Sequence, residues 1–82
     1  MTIEPGDVPI YLQLATILRK RILSGEIGPR QPIPSKRMLR QQYGVAAGTV
    51  DKAVAVLRGE GLVKTVMGLG IFPVPPEDRP RR

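Results

Sequence analysis

The chain has 82 residues, 41% of them hydrophobic and 24% charged, which suits one small folded domain whose core cannot spare room for a deep catalytic pocket. It has no Cys and no His, so a disulfide framework is excluded and a zinc site would rest on carboxylates alone; no metal or cofactor is expected. Thirteen Lys and Arg against seven Asp and Glu leave a net charge of +6, a balance that favours a polyanionic partner such as nucleic acid over a plain solvated surface.

No apolar run reaches the roughly 18 residues that a membrane span requires. The opening MTIEPGDVPIYLQL is acidic where an export signal would be basic, so the cytoplasm is the expected compartment.

Residues 1–8, with Pro5 and Gly6, read as a flexible lead-in. Pro9 suits the first turn of a helix, where its missing N–H costs nothing. Ile10, Leu14, Ile17, Leu18 and Ile22 then recur at helical spacing, while Gln13, Thr16, Arg19 and Lys20 fall on other faces. Ser24-Gly25 ends this helix, with Gly25 as the left-handed residue beyond it. Residues 28–34 form a Gly- and Pro-rich connector, and Ile27 and Ile33 are its anchors to the core.

Ser35 caps a second helix that runs to about Tyr43, with Leu39 and Tyr43 on its buried face. Gly44 stops it and Val45 tucks the turn into the core. A third helix is expected from about Ala46 to Arg58. Val50, Ala53, Val54 and Leu57 form its inner stripe, and Ala47, Gly48, Asp51, Lys52 and Ala55 form its other face. Gly59 and Gly61 stop it. Leu62 to Val66 reads as a strand, Gly68-Leu69-Gly70 as a reversal, and Ile71-Phe72 as the return strand. Pro73, Pro75 and Pro76 end regular structure, and residues 75–82, carrying Arg79, Arg81 and Arg82, read as a disordered basic tail.

The sum is an α+β, mainly α domain over residues 9–74: three helices and a C-terminal β-hairpin wing, a winged helix-turn-helix. A turn of three or four residues containing Gly44 joins the second and third helices. That spacing lets Leu39, Val50 and Val54 share one core while the outer face of the third helix stays free, and the dominant use of such a face is the DNA major groove.

The residues in order resemble the DNA-binding domain of the GntR family of bacterial transcription regulators. The likeness lies in Pro9-Ile10-Tyr11 with Gln13-Leu14, Ser24-Gly25 and Pro34-Ser35-x-Arg37-x-Leu39. It continues through Tyr43-Gly44-Val45, Gly48-Thr49-Val50, Ala53, Leu57, Gly61-Leu62-Val63 and Gly68-x-Gly70-x-Phe72, covering roughly residues 8–74. The resemblance implies that the third helix enters the major groove and the wing tip the minor groove. It implies a DNA-contacting Arg at Arg37, whose alternative is a helix salt bridge, and a phosphate contact at Thr49. Gly48 permits close backbone approach to DNA. Gly68 and Gly70 match the wing tip, where the alternative is a plain hairpin turn.

Two positions depart from the family pattern. Many members have Arg where this chain has Ala47 and Asp51. Ala47 can touch a thymine methyl and Asp51 can accept from a cytosine amino group, but neither can grip guanine bidentately. Asp51 alternatively pairs with a nearby Lys or Arg. Lys52 is then the first choice for a base or phosphate contact. Lys36, Arg40 and Lys64 suit phosphate contacts or stay solvated, and Met67 at the wing tip suits shape readout and van der Waals contact. With the capping Ser35, these residues make up the expected DNA-binding surface.

One winged helix reads only a short half-site, so the isolated chain is expected to bind weakly as a monomer, and a pseudo-palindromic double-stranded operator is expected to be met by a homodimer formed on DNA or through a further domain; a repressor's role and a location at the bacterial nucleoid are expected as well. The resemblance implies a C-terminal effector-binding domain too, and none is expected within these residues. An alternative reading is a winged-helix protein-interaction adaptor that binds through Met67-Gly68-Leu69 and holds DNA only weakly. An enzyme is not expected, because no paired carboxylates at a fixed spacing and no phosphate-binding loop accompany the missing His and Cys.

Overall fold

The first helix forms where the apolar period begins. In a computed structural model, which describes residues 3–80, α1 spans Ile10–Leu23. Pro9 stands one residue outside it, and its carbonyl accepts the N–H groups of Leu12 and Gln13 at 3.0 and 3.2 Å. Lys20 and Arg21 sit in the last turn, where cations complement the helix dipole.

The lead-in differs from expectation. Gln13 Nε2 donates to the carbonyls of Glu4 (2.6 Å) and Val8 (2.9 Å), and its Oε1 accepts the Glu4 N–H at 2.9 Å. Ile3 packs against the core. Residues 3–8 are therefore a strap tied to α1 by one amide side chain. Met1 and Thr2 lie outside the described residues.

Helix α2 spans Lys36–Tyr43. The Ser35 hydroxyl accepts the Met38 N–H at 3.1 Å, which satisfies one of the free donors at the helix start. Gly44 closes α2 in the left-handed region (φ 65°), and its N–H bonds the Arg40 carbonyl. Three residues later α3 begins, spanning Ala47–Gly59. Gly59 is thus the last helical residue rather than a stop. Gly61 is the stop: at φ 74° it turns the chain so that its N–H reaches the Arg58 carbonyl and the Leu62 N–H reaches that of Leu57.

The wing is the antiparallel pair β1 (Val63–Val66) and β2 (Gly70–Pro73), with Val63 opposite Pro73 and Val66 opposite Gly70. Pro73 is a buried strand residue, not a terminator placed after the strand. Two strands alone are marginal in water. Here the connector supports them, because the Ile33 N–H donates to the Ile71 carbonyl at 2.8 Å. Beyond the wing, a short 3₁₀ turn at Pro76–Asp78 and a bond from Arg79 Nε to the Val74 carbonyl give residues 75–80 an ordered path instead of the expected disorder. Arg81 and Arg82, also assigned to that tail, lie outside the described residues.

The core sits between α1 and α3. Leu14 and Leu18 of α1 share one cluster with Ala53 and Leu57 of α3, joined by Leu39 from α2 and by Ile27, Ile33, Leu62 and Val63. Tyr43 and Val45 pack on it half-buried. Each fully buried Leu is worth about 1.5–3 kcal/mol relative to exposure. Arg19 and Glu60 clip the far ends of α1 and α3 through two parallel hydrogen bonds of 2.8 and 2.6 Å. The bond to Glu60 holds the Arg19 guanidinium above its ordinary pKa.

Candidate nucleic-acid interface

The outer surface of α2 and α3 is built by what the core takes away. Leu39 is the single buried residue of α2, so Lys36, Arg37 and Arg40 are all exposed. On α3 the stripe Val50, Ala53, Val54 and Leu57 turns inward and leaves Gly48, Asp51, Lys52 and Ala55 exposed, with Ala47 and Thr49 half-buried.

Within this surface the cations divide into two kinds. Lys36 is engaged: its Nζ lies 2.9 Å from Asp51 Oδ1, which ties the start of α2 to the second turn of α3. Both side chains are more than half exposed, at 51% and 59%, so the pair is worth less than about 1 kcal/mol. Lys52 is also engaged, with its Nζ 5.7 Å from the centre of the Tyr11 ring on α1. The side chains of Arg37, Arg40 and Lys64 make no hydrogen bond or ion pair among the described residues, so the helix salt bridge considered for Arg37 is not seen.

The glycines behave differently from one another. A Cβ added at Gly48 or Gly68 would meet nothing within 4 Å, so neither is demanded by packing. Gly68 is demanded by conformation instead: it is the third residue of the turn that the Leu69 N–H closes onto the Val66 carbonyl (3.0 Å), and its φ is 77°. Gly70, at φ 125°, stands close to Pro32.

Two concave surfaces join these parts. A groove of about 580 Å³ runs between the wing tip and the start of α2, lined by Leu69, Gly70, Ser35 and Met38. A smaller one of about 270 Å³ lies beneath the Lys36–Asp51 pair and reaches Arg58 and Ile71. Of the expected surface residues, these grooves bring Ser35 together with Gly70, and Lys36 together with Asp51. Tyr11 and Arg58 were missed. Tyr11 stands far from Lys52 in sequence, and Arg58, whose Nη2 donates to Thr65 Oγ1 at 3.1 Å, reads as an ordinary C-terminal helix cation.

Among the described residues no cluster of three or more His, Cys, Asp or Glu is placed to hold a metal, and no helix is long and apolar enough to cross a membrane.

A model of the family described as bacterial regulatory proteins, gntR family, matches residues 10–72. The chain belongs to the GntR family. Among curated GntR-like relatives, the transcriptional repressor NagR of Bacillus subtilis (strain 168) is 37% identical over 69 residues, covering 84% of this chain and 28% of NagR. The pyridoxine biosynthesis regulator PdxR of Corynebacterium glutamicum is 39% identical over 67 residues, covering 82% of this chain and 14% of PdxR. The chain therefore spans less than a third of the length of these relatives. Among solved structures, the AraR DNA-binding domain in complex with operator ORX1 superposes with a TM-score of 0.83 at 33% identity, covering 90% of this chain and 95% of that one. The winged helix-turn-helix fold expected from the sequence is the fold of this GntR domain, and the family is one of regulators, not of enzymes.

Proposed function

We propose that this GntR domain binds double-stranded DNA sequence-specifically and serves a bacterial transcription repressor in the cytoplasm, at the nucleoid. The observation that supports this best is that Arg37, Arg40 and Lys64 are exposed and their side chains have no ion-pair or hydrogen-bond partner among the described residues, on a fold shared with a domain solved on its operator. In this reading α3 enters the major groove and the wing tip the minor groove. Arg37 and Arg40 hold phosphates, and Thr49 meets a phosphate at the start of α3, where free N–H groups favour an anion.

Base reading falls to a face with few donors. Ala47 offers a methyl contact to thymine, Gly48 lets the backbone approach, and Asp51 accepts from a cytosine amino group when Lys36 turns to a phosphate. Lys52 leaves Tyr11 for the DNA or stays to shape the edge of the surface. One such domain covers one half-site, so tight binding requires two copies on a two-fold pseudo-palindrome. Any effector acts through parts of a regulator other than these residues.

Fluorescence anisotropy with a duplex selected from a random pool tests the proposal. About 4–6 phosphate contacts give a log–log salt slope near −4 to −5, and a palindrome should outcompete unselected DNA. A flat salt dependence, or equal affinity for every duplex, refutes sequence-specific binding by this chain.

A further inference from the structure

The wing tip carries an unusual load for a basic domain. Met67 is 90% exposed and Leu69 70% exposed, the highest exposures among the large apolar side chains of the described residues. They flank Gly68 in a tight turn whose strands end at Val66 and Gly70. Neither side chain has a strong donor or acceptor, so neither can read the base-edge acceptors of a minor groove by hydrogen bonding, nor pair with its phosphates. Lys or Arg would do both.

We propose that Met67 and Leu69 act as an apolar wedge that enters the minor groove, partly unstacks a base step and bends the DNA. This rests on the DNA-binding reading above. Three features favour DNA as the occupant. Leu69 lines one groove with Ser35 and Met38, the residues that bracket the exposed Lys36 and Arg37 at the start of α2, and the groove's own charged residues, Arg21 and Glu26, pair with each other. The chain carries +6, with Lys64 exposed in the strand leading to the tip, which complements a polyanion. Gly68 carries no side chain, so the apex of the turn presents bare backbone between Met67 and Leu69. Met and Leu are among the side chains that proteins insert between base steps, with kinks of about 20–90°. Pyrimidine–purine steps unstack most readily, so TA or CA steps should recur under the tip.

The test begins with duplexes selected by the full chain from a random pool. Energy transfer between end-attached dyes reads bending, 2-aminopurine fluorescence at successive steps reads unstacking, and footprinting reads occupancy. Bound wild-type chain should raise the energy transfer and brighten one step within the footprint.

The Met67→Ser, Leu69→Ser double variant should keep the footprint, bind about tenfold more weakly or worse and leave the DNA straight. The Met67→Lys, Leu69→Lys variant should recover affinity, steepen the salt slope by about two and still leave the DNA straight. Both changes are at exposed positions, and an unchanged thermal melt verifies folding. A wild-type footprint on straight DNA, or equal bending by the Ser variant, overturns the wedge while leaving DNA binding intact. Self-association through the tip on straight DNA overturns it in favour of a protein contact. No footprint at all overturns both proposals.

Discussion

The two faces of α3 are held in opposite ways. On the inner face, Val50, Ala53 and Leu57 are at most 2% exposed and mesh with Leu14 and Leu18. On the outer face, the side-chain interactions are separate and made by exposed α3 residues: Asp51 with Lys36, Lys52 over Tyr11, and Arg58 with Thr65. The contrast teaches where this domain keeps its stability and where it keeps exchangeable contacts. An exposed ion pair costs little to open, so a phosphate can replace Asp51 as the partner of Lys36 with little loss to the fold.

Substitutions on the two faces should separate these roles. The largest effect is expected from Leu57→Ala, which removes a fully buried side chain. It should cost about 2–5 kcal/mol, enough to unfold much of so small a domain, as measured by urea denaturation. If Leu57→Ala leaves the midpoint nearly unchanged, the inner face is not what holds α3.

Gly61→Ala comes next. Alanine there would adopt φ 74° and set a Cβ 2.6 Å from the Pro80 ring. A loss of about 1–3 kcal/mol in the same denaturation is expected, from the strained backbone and the displaced chain. Gly48→Ala is the control, because its Cβ meets open space and stability should hold or rise.

On the outer face the effects move from folding to binding. Arg37→Ala should leave the melt within about 0.5 kcal/mol of wild type but flatten the salt slope by about one. A matching loss of stability would make Arg37 a structural residue. The smallest effect belongs to Asp51→Ala. It should change stability by no more than about 0.5 kcal/mol yet tighten binding to unselected duplexes, because it frees Lys36 and removes a negative charge. Weaker binding by this variant would show that Asp51 itself contacts the bases.

Much of this was legible in advance, for local reasons. The three helices follow from the 3.6-residue spacing of their apolar residues, and Ser35, Gly25 and Gly44 mark ends because capping is a matter of adjacent residues. The inner stripe of α3 was read residue by residue. What escaped depends on contacts distant in sequence. Gln13 gave no sign that it would tie Glu4 and Val8, since an amide on a helix surface is ordinary. The Ile33 bond to Ile71 joins segments 38 positions apart, and neither residue is unusual. Between Gly59 and Gly61 the spacing alone did not choose. The choice fell to Gly61, which takes positive φ and lets Leu62 turn back into the core. At the candidate site, the cations were identifiable by type. Which of them are engaged was not, because that depends on how α1, α2 and α3 meet.

The bond from Ile33 to Ile71 has one further consequence. It occupies one outward carbonyl of β2, whereas β1 bonds no third strand or connector on its outer side among the described residues. A short strand with free backbone donors and acceptors is a template on which a second copy can dock and begin to aggregate. Lys64 stands exposed on that strand, and its charge opposes such stacking in the crowded setting of a cell. The lysine offered here to a phosphate is thus also a guard on solubility, and replacing it would put both at risk together.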